Sequence, residues 1–193
     1  INTVYKVQME GLMRLKAMAK INLGLDVLGK REDGYHEVRM IMQTIRMYDI
    51  LDIRKTRRPG IVLTTNLPFI PTDQRNLVYK AAQMLMEEFD VEEGLSIKLR
   101  KFIPVAAGMA GGSSDAAAAF VGVNRMFHLG LTEEQLMERA VKVGADVPYC
   151  IMRGTALAEG IGEKLTRLPE VPKCYVLIGK PGINVSTKTA YEN

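Results

Sequence analysis

Three short stretches of this chain gather residue types suited to handling a phosphate: a glycine-rich run at 104–119, a Lys-x-Asn pair at 20 and 22, and an aspartate at 146. The run reads Pro104, Val105, Ala106, Ala107, Gly108, Met109, Ala110, Gly111, Gly112, Ser113, Ser114, then Asp115 and four alanines. Its glycines let the backbone take positive φ and approach a ligand with no Cβ in the way. Ser113, Ser114 and Asp115 are N-cap types, so a helix is expected to open there. The unpaired N–H groups and positive dipole end of that helix make an anion site, and the expected anion is a nucleotide phosphate. The run is neither of the two commonest phosphate motifs. The P-loop needs a lysine after its last glycine, and no lysine occurs from 102 to 119. The dinucleotide fingerprint needs G-x-G-x-x-G spacing, which is absent here.

A cation and a proton acceptor are needed beside such a cradle if a group is to be transferred. Ala19-Lys20-Ile21-Asn22-Leu23 offers Lys20 and Asn22 on one face of a strand, and Gly144-Ala-Asp146-Val-Pro148 offers a carboxylate. Taken singly, each has an ordinary reading: a solvent-facing lysine, a turn aspartate, a capped helix. Cys150 lies close to Asp146 in sequence without a nearby histidine, so it reads as a structural thiol. His128 is expected in the last turn of a helix, and the 12 methionines read as core filler.

The elements that must position these residues follow from hydrophobic spacing. Residues 14–28 alternate as a strand, 36–54 repeat the pattern, and 61–65 form a short third strand. Arg54-Lys-Thr-Arg-Arg58 with Pro59-Gly60 reads as a solvated hairpin loop. Leu77, Ala81, Leu85 and Phe89 recur at helical spacing from Asn76, and residues 95–103 are β-rich. After the glycine run, Ala116, Ala119, Phe120, Val123 and Phe127 define the buried face of a helix stopped by Gly130. Thr132-Glu-Glu-Gln135 is a capping box opening a third helix to about Val143. Further strands are expected near 149–157 and 174–179. Strands followed by helices, without a regular βαβ alternation, point to an α+β two-layer fold.

With 193 residues, 47% of them hydrophobic, about one domain is expected. A net charge of +4 suits polyanionic ligands without being a nucleic-acid footprint. The two cysteines, Cys150 and Cys174, lack metal-ligand spacing, and no apolar run approaches a membrane span. A cytoplasmic protein with reduced thiols is expected, neither membrane-bound nor bound to nucleic acid.

The run from Pro104 resembles the phosphate-binding motif of the GHMP family of small-molecule kinases, Pro-x-x-x-Gly-Leu-Gly-(Gly)-Ser-Ser-x-Ala, with Met109 in place of the usual leucine. Ala-Lys-Ile-Asn-Leu, Asp33-Gly-Tyr35-His36-Glu37, the glycine run and Gly-Ala-Asp-Val-Pro follow in the order of one branch of that family. The resemblance implies an ATP- and Mg²⁺-dependent kinase. Its acceptor would be a hydroxyl of a cytidine diphosphate derivative of methylerythritol, in the non-mevalonate route to isoprenoids. A homoserine- or mevalonate-type kinase, or a non-catalytic nucleotide-binding fragment, are the alternatives. Lys20 and Asp146 would be catalytic, and residues 104–114 with Asn76 would shape the nucleotide pocket. Asn22, Tyr35, His36 and Tyr191 would hold the acceptor, the two tyrosines stacking on its cytosine. Ser114 would approach the metal, although capping explains Ser113, Ser114 and Asn76 equally well. The fold implied is a domain similar to the second domain of ribosomal protein S5, with a left-handed crossover. Met13 reads as a native start, which makes 1–12 an extension, 13–179 the ATP-binding domain, and 180–193 the approach to a ferredoxin-like domain missing from this chain. A monomer or homodimer is expected.

Overall fold

The structure is a computed structural model that describes residues 11–180. In chain order its elements are β1 (Leu12–Lys30), β2 (His36–Thr56), β3 (Ile61–Thr65), α1 (Leu77–Glu88), β4 (Gly94–Arg100), α2 (Gly111–Met126), α3 (Glu133–Ala140), α4 (Val147–Met152), β5 (Thr155–Gly160) and β6 (Lys164–Arg167). β2 is the spine. One of its edges pairs antiparallel with β1 along nearly its whole length. The other edge is shared, because Val38–Gln43 pair with β5 and Ile50–Thr56 pair with β4. β3 extends the sheet parallel to β4, and β6 closes the far side antiparallel to β5.

Residues 44–49 of β2 therefore lack a strand partner on that edge. The chain leaves the sheet at the end of β4, forms α2, α3 and α4, and returns at the start of β5, on either side of this opening. The fold thus places its helices, and the loops that join them, around one gap in a ladder.

Side-chain alternation decides which face the helices cover. Leu15, Ala17, Leu51, Ile53, Ile97 and Leu99 are buried with Phe120 and Val123 of α2 and Leu85 of α1. Arg14, Asp52 and Arg100 lie on the opposite face and pair there, at 2.6 Å and 3.0 Å. α2 approaches the sheet so closely that a Cβ at Gly122 would stand 2.4 Å from Ile53 Cδ1 and 2.7 Å from Leu15 Cδ1. The layered mixed α/β arrangement matches the expectation from patterning.

Several local expectations are corrected. Residues 54–60 are not a hairpin loop, because β3 pairs with β4 rather than with β2. The stretch at 149–157 divides into α4 and β5, since Arg153 and Gly154 both take positive φ and turn the chain between them. No strand forms at 174–179, where Tyr175 and Leu177 stand fully exposed. β6 escaped the sequence reading because its four residues are too few to show a period. α2 ends at Met126, ahead of Gly130, with Phe127 as C-cap, so His128 lies past the helix at φ 54°.

Candidate active site

The opening at 44–49 is also where the β1–β2 ladder is irregular. Met18 pairs with Tyr48 and Lys20 with Thr44, so Ile45, Arg46 and Met47 of β2 stand opposite Ala19 alone. Ile45 and Met47 pack with Ala19, Ile103, Met109 and Ala107 into a small apolar cluster beneath the glycine loop. The β1 main chain at this point is addressed by the loop and its helix. Lys20 N donates to Met109 O at 3.2 Å, and Ser114 Oγ donates to Met18 O at 2.6 Å.

The loop itself is open to solvent, with Val105 46% exposed, while Met109 is buried as its anchor. Ala106 and Ala110 take φ of 54° and 53°, and Gly108 takes 69°. Ala110 is the N-cap of α2 and has no side chain to cap with. The expected capping role of Ser113, Ser114 and Asp115 is thus corrected: all three lie inside the first turns of the helix. The first amides of α2 are left without a capping side chain, the arrangement that favours an anion. A cavity of about 380 Å³ sits over them, lined by residues 104–113 together with Asn76, Lys101 and Asp115. Asn76 is the N-cap of α1, its Oδ1 accepting from Val78 N at 2.9 Å.

Ser114 does not face this cavity. It is 2% exposed, and its hydroxyl donates to Met18 O and approaches Cys150 Sγ at 3.3 Å. That geometry runs against a metal-holding role for Ser114. Ser113, half-buried, lines the cavity instead. Burial pushes the Cys150 thiol up to about 12, so it stays a neutral packing group.

Lys20 is not the solvent-facing lysine of its ordinary reading. It is 5% exposed, and its ammonium lies 3.0 Å from Asn22 Oδ1 and 3.8 Å from Asp146 Oδ2. Asp146 occupies the N-cap position of α4 without capping it, which leaves the carboxylate for other partners. α4 is held in place from below. The buried Tyr149 hydroxyl donates to Gly154 O at 2.7 Å and lies 3.0 Å from Thr44 Oγ1, while Gly154 N donates to the same Thr44 oxygen at 3.1 Å. Thr44 is the residue opposite Lys20, so one network sets both members of the Lys20–Asp146 pair.

A second polar group lies under the loop and went unseen in the sequence. Asp49 Oδ1 accepts from Phe102 N at 2.5 Å and Ile103 N at 2.8 Å, and its Oδ2 accepts from Lys101 Nζ at 2.5 Å. The same ammonium donates to Asp115 Oδ2 at 2.6 Å. These bonds explain why β4 stops at Arg100 rather than at 103: Asp49 takes the amides that a continuing strand would use.

Tyr35 and His36 stand elsewhere. They follow the tight turn at the tip of the β1–β2 hairpin, where Arg31 N donates to Tyr35 O and Tyr35 N to Asp33 Oδ1. His36 pairs with Lys30, at the far end of the strands from Lys20. Tyr35 is 58% exposed. Tyr191 lies outside the described residues. The structure thus brings Lys20, Asn22, Asp146 and the loop together and leaves the tip residues apart from them.

Known proteins resemble this chain over most of its length. Residues 76–154 match the model of the GHMP kinases N terminal domain. The chain is 58% identical over 180 residues to a 4-diphosphocytidyl-2-C-methyl-D-erythritol kinase of Lachnospira eligens, covering 93% of this chain and 62% of that protein. It is also 58% identical to the kinase of the same name from Lachnoclostridium phytofermentans, covering 94% and 62%. The chain therefore spans a little under two thirds of the length of these relatives. A crystal structure of 4-(cytidine 5'-diphospho)-2C-methyl-D-erythritol kinase superposes with a TM-score of 0.71 at 35% identity, over 81% of this chain and 55% of that one. Homoserine kinase from Cytophaga hutchinsonii shares the fold, with a TM-score of 0.66 at 19% identity over 86% and 55% of the two chains.

Proposed function

We propose, for a chain that carries the N-terminal domain of the GHMP kinases, that it phosphorylates the 2-hydroxyl of 4-diphosphocytidyl-2-C-methyl-D-erythritol with ATP, in the non-mevalonate supply of isoprenoid precursors. The observation that carries this reading is the Lys20–Asp146 pair, 3.8 Å apart and joined to the glycine loop through Lys20 N and Met109 O. The identity of nearly three residues in five with kinases of that name directs the choice of acceptor.

In this reading the amides opening α2 and residues 104–113 cradle the triphosphate, with Asn76 shaping the rim. Asp146 takes the proton of the acceptor hydroxyl as its oxygen bonds to the γ-phosphorus. The bond from that phosphorus to the β-phosphate oxygen breaks, and ADP leaves. Lys20 offsets the charge on the phosphoryl in transit. Asn22 orients the acceptor and the Lys20 ammonium. Tyr35 and His36, with Tyr191, are read as the cytosine holders: an exposed ring offers a stacking face, and an imidazole edge can bond the base.

Mg²⁺ fits the donors present. It favours oxygen and keeps several waters, so phosphate oxygens and one hydroxyl suffice. The Ser113 hydroxyl lines the cavity and would hold it. Bound there, the ion would neutralise phosphate charge. The ribosomal S5-like label, the division at 13–179, and a ferredoxin-like domain beyond 193 belong to the same reading; the greater length of the relatives supports the last of these alone. A cytoplasmic location and a monomer or homodimer are part of the same reading. Among the described residues, no helix is long and apolar enough to cross a membrane.

The test is ADP release from ATP and Mg²⁺ with three acceptors offered separately: the cytidine diphosphate of methylerythritol, homoserine and mevalonate. Turnover with the first alone is expected. Asp146→Asn should lower it by about 10²–10⁴-fold while ATP still binds. ATP binding without turnover on any acceptor would leave a non-catalytic nucleotide module instead.

A further inference from the structure

The cluster of Asp49, Lys101 and Asp115 joins three segments beneath the glycine loop: β2, the loop entry and α2. Asp49 stands on β2 in the opening between β4 and β5. Lys101, Phe102 and Ile103 form the entry to the loop, and Asp115 lies in α2 just past its exit. Asp49 holds the entry by two backbone amides, and Lys101 carries the connection across to the exit. Side-chain exposure is 5% for Lys101, 0% for Asp49 and 3% for Asp115. The loop is fitted to this ammonium: a Cβ at Gly111 would lie 3.1 Å from Lys101 Nζ and 3.2 Å from Ile103 Cγ2. Lys101 and Asp115 also form part of the cavity wall, and Asp115 Oδ1 is buried without a hydrogen-bond partner among the described residues.

Resting on the nucleotide reading above, we infer that Lys101 and Asp115, seated on Asp49, act as positioning residues that set the spacing between loop entry and helix start, and so the aim of the amides at the triphosphate. A buried ion cluster is weak support for stability in itself, since its charges lose their hydration. What it supplies is geometry. The two ends of the loop are tied to one ammonium, and the positive-φ residues between them, Ala106, Gly108 and Ala110, have no side-chain hydrogen bonds of their own to hold them. Asp49 is the firm base, with three donors on its two oxygens. Asp115 is the adjustable end, with one.

Asp115→Ala cuts the link to the helix and leaves Lys101 paired with Asp49. Asp115→Asn keeps an acceptor for Lys101. The double variant Lys101→Met with Asp115→Leu removes the link with apolar groups of similar volume, at a cost in stability because the buried Asp49 loses its ammonium partner and keeps only the two amides. Two measurements apply to each: ATP affinity by calorimetry, and hydrogen exchange of the amides at 104–112 without ligand. In Asp115→Ala and in the double variant, ATP affinity should fall about tenfold and loop exchange should rise about tenfold. Asp115→Asn should stay within about threefold of the parent on both. A purely structural role would lower the melting midpoint while leaving loop exchange and the ATP affinity of folded protein unchanged, and that result overturns the proposal. So does an Asn variant as impaired as the Ala variant. Should the parent itself fail to bind ATP, the nucleotide reading fails, and the exchange comparison still decides whether the cluster holds the loop.

Discussion

The backbone amide of Lys20 donates to the carbonyl of Met109 at 3.2 Å, so the lysine whose ammonium faces Asp146 is tied by its own main chain to the glycine loop. The proposed phosphate cradle and the proposed catalytic pair are joined by this hydrogen bond, which no side chain supplies.

Because that link is made by backbone, Lys20→Met should leave the loop where it is. Turnover is expected to drop by about 10²–10³-fold, the loss typical of one charge-stabilising donor, with ATP affinity little changed. Equal losses in affinity and turnover, measured by calorimetry and steady-state kinetics, would count against the separation of the two roles.

Tyr35 is a surface ring, 58% exposed, in a turn held by Arg31, Asp33 and Glu37. Tyr35→Ala should leave the melting midpoint unchanged, as exposed substitutions usually do. Loss of base stacking, worth about 1–3 kcal/mol, should raise the acceptor KM by about five- to 150-fold. A KM for ATP that rises in parallel would contradict a cytosine-holding role.

Gly122→Ala tests the closeness of α2 to the sheet. The added Cβ has no room beside Ile53 and Leu15, which are 0% and 2% exposed. Overpacking of this kind costs about 1–3 kcal/mol, to be read from the urea midpoint. Unchanged stability would mean that the two side chains find other rotamers freely.

Asp115 should leave a signature in the pH dependence of stability. Burial raises its carboxyl well above the ordinary value of 3.8, Lys101 lowers it in part, and Asp49 raises it. The folded state therefore holds a proton that the unfolded chain has released once the pH exceeds about 3.8. Stability from this group is full below that point and falls as pH climbs toward the folded value. Asp115→Asn removes the dependence, so its melting midpoint should gain on the parent as pH rises from about 4 toward neutrality. A constant difference across that range would show an ionised Asp115 throughout.

What could be read from the sequence was local. The glycine run, the Thr132–Gln135 capping box and the long strands announce themselves within a dozen residues, and all appear in the structure. Lys20 and Asp146 were found by residue type and family likeness, and they do lie side by side. Partners distant along the chain left no mark. Lys101 and Asp49 are separated by 52 residues, and Thr44 and Tyr149 by 105, so neither pair produces a period or motif. The capping forecast failed for a related reason. Ser114 and Asp115 look like caps by type, but their side chains are turned to Met18 and Lys101, and only the tertiary fold supplies those partners.

The gap at residues 44–49 gives the length of two strands a chemical meaning. β4 ends at Arg100, opposite Ile50, and β5 begins at Thr155, opposite Gln43. Were either strand to run on by a few residues, the edge would zip closed, and Asp49 and Thr44 would surrender their side-chain partners to a neighbouring backbone. The place where these two strands fall short is as much a part of the proposed site as any of its ionisable groups.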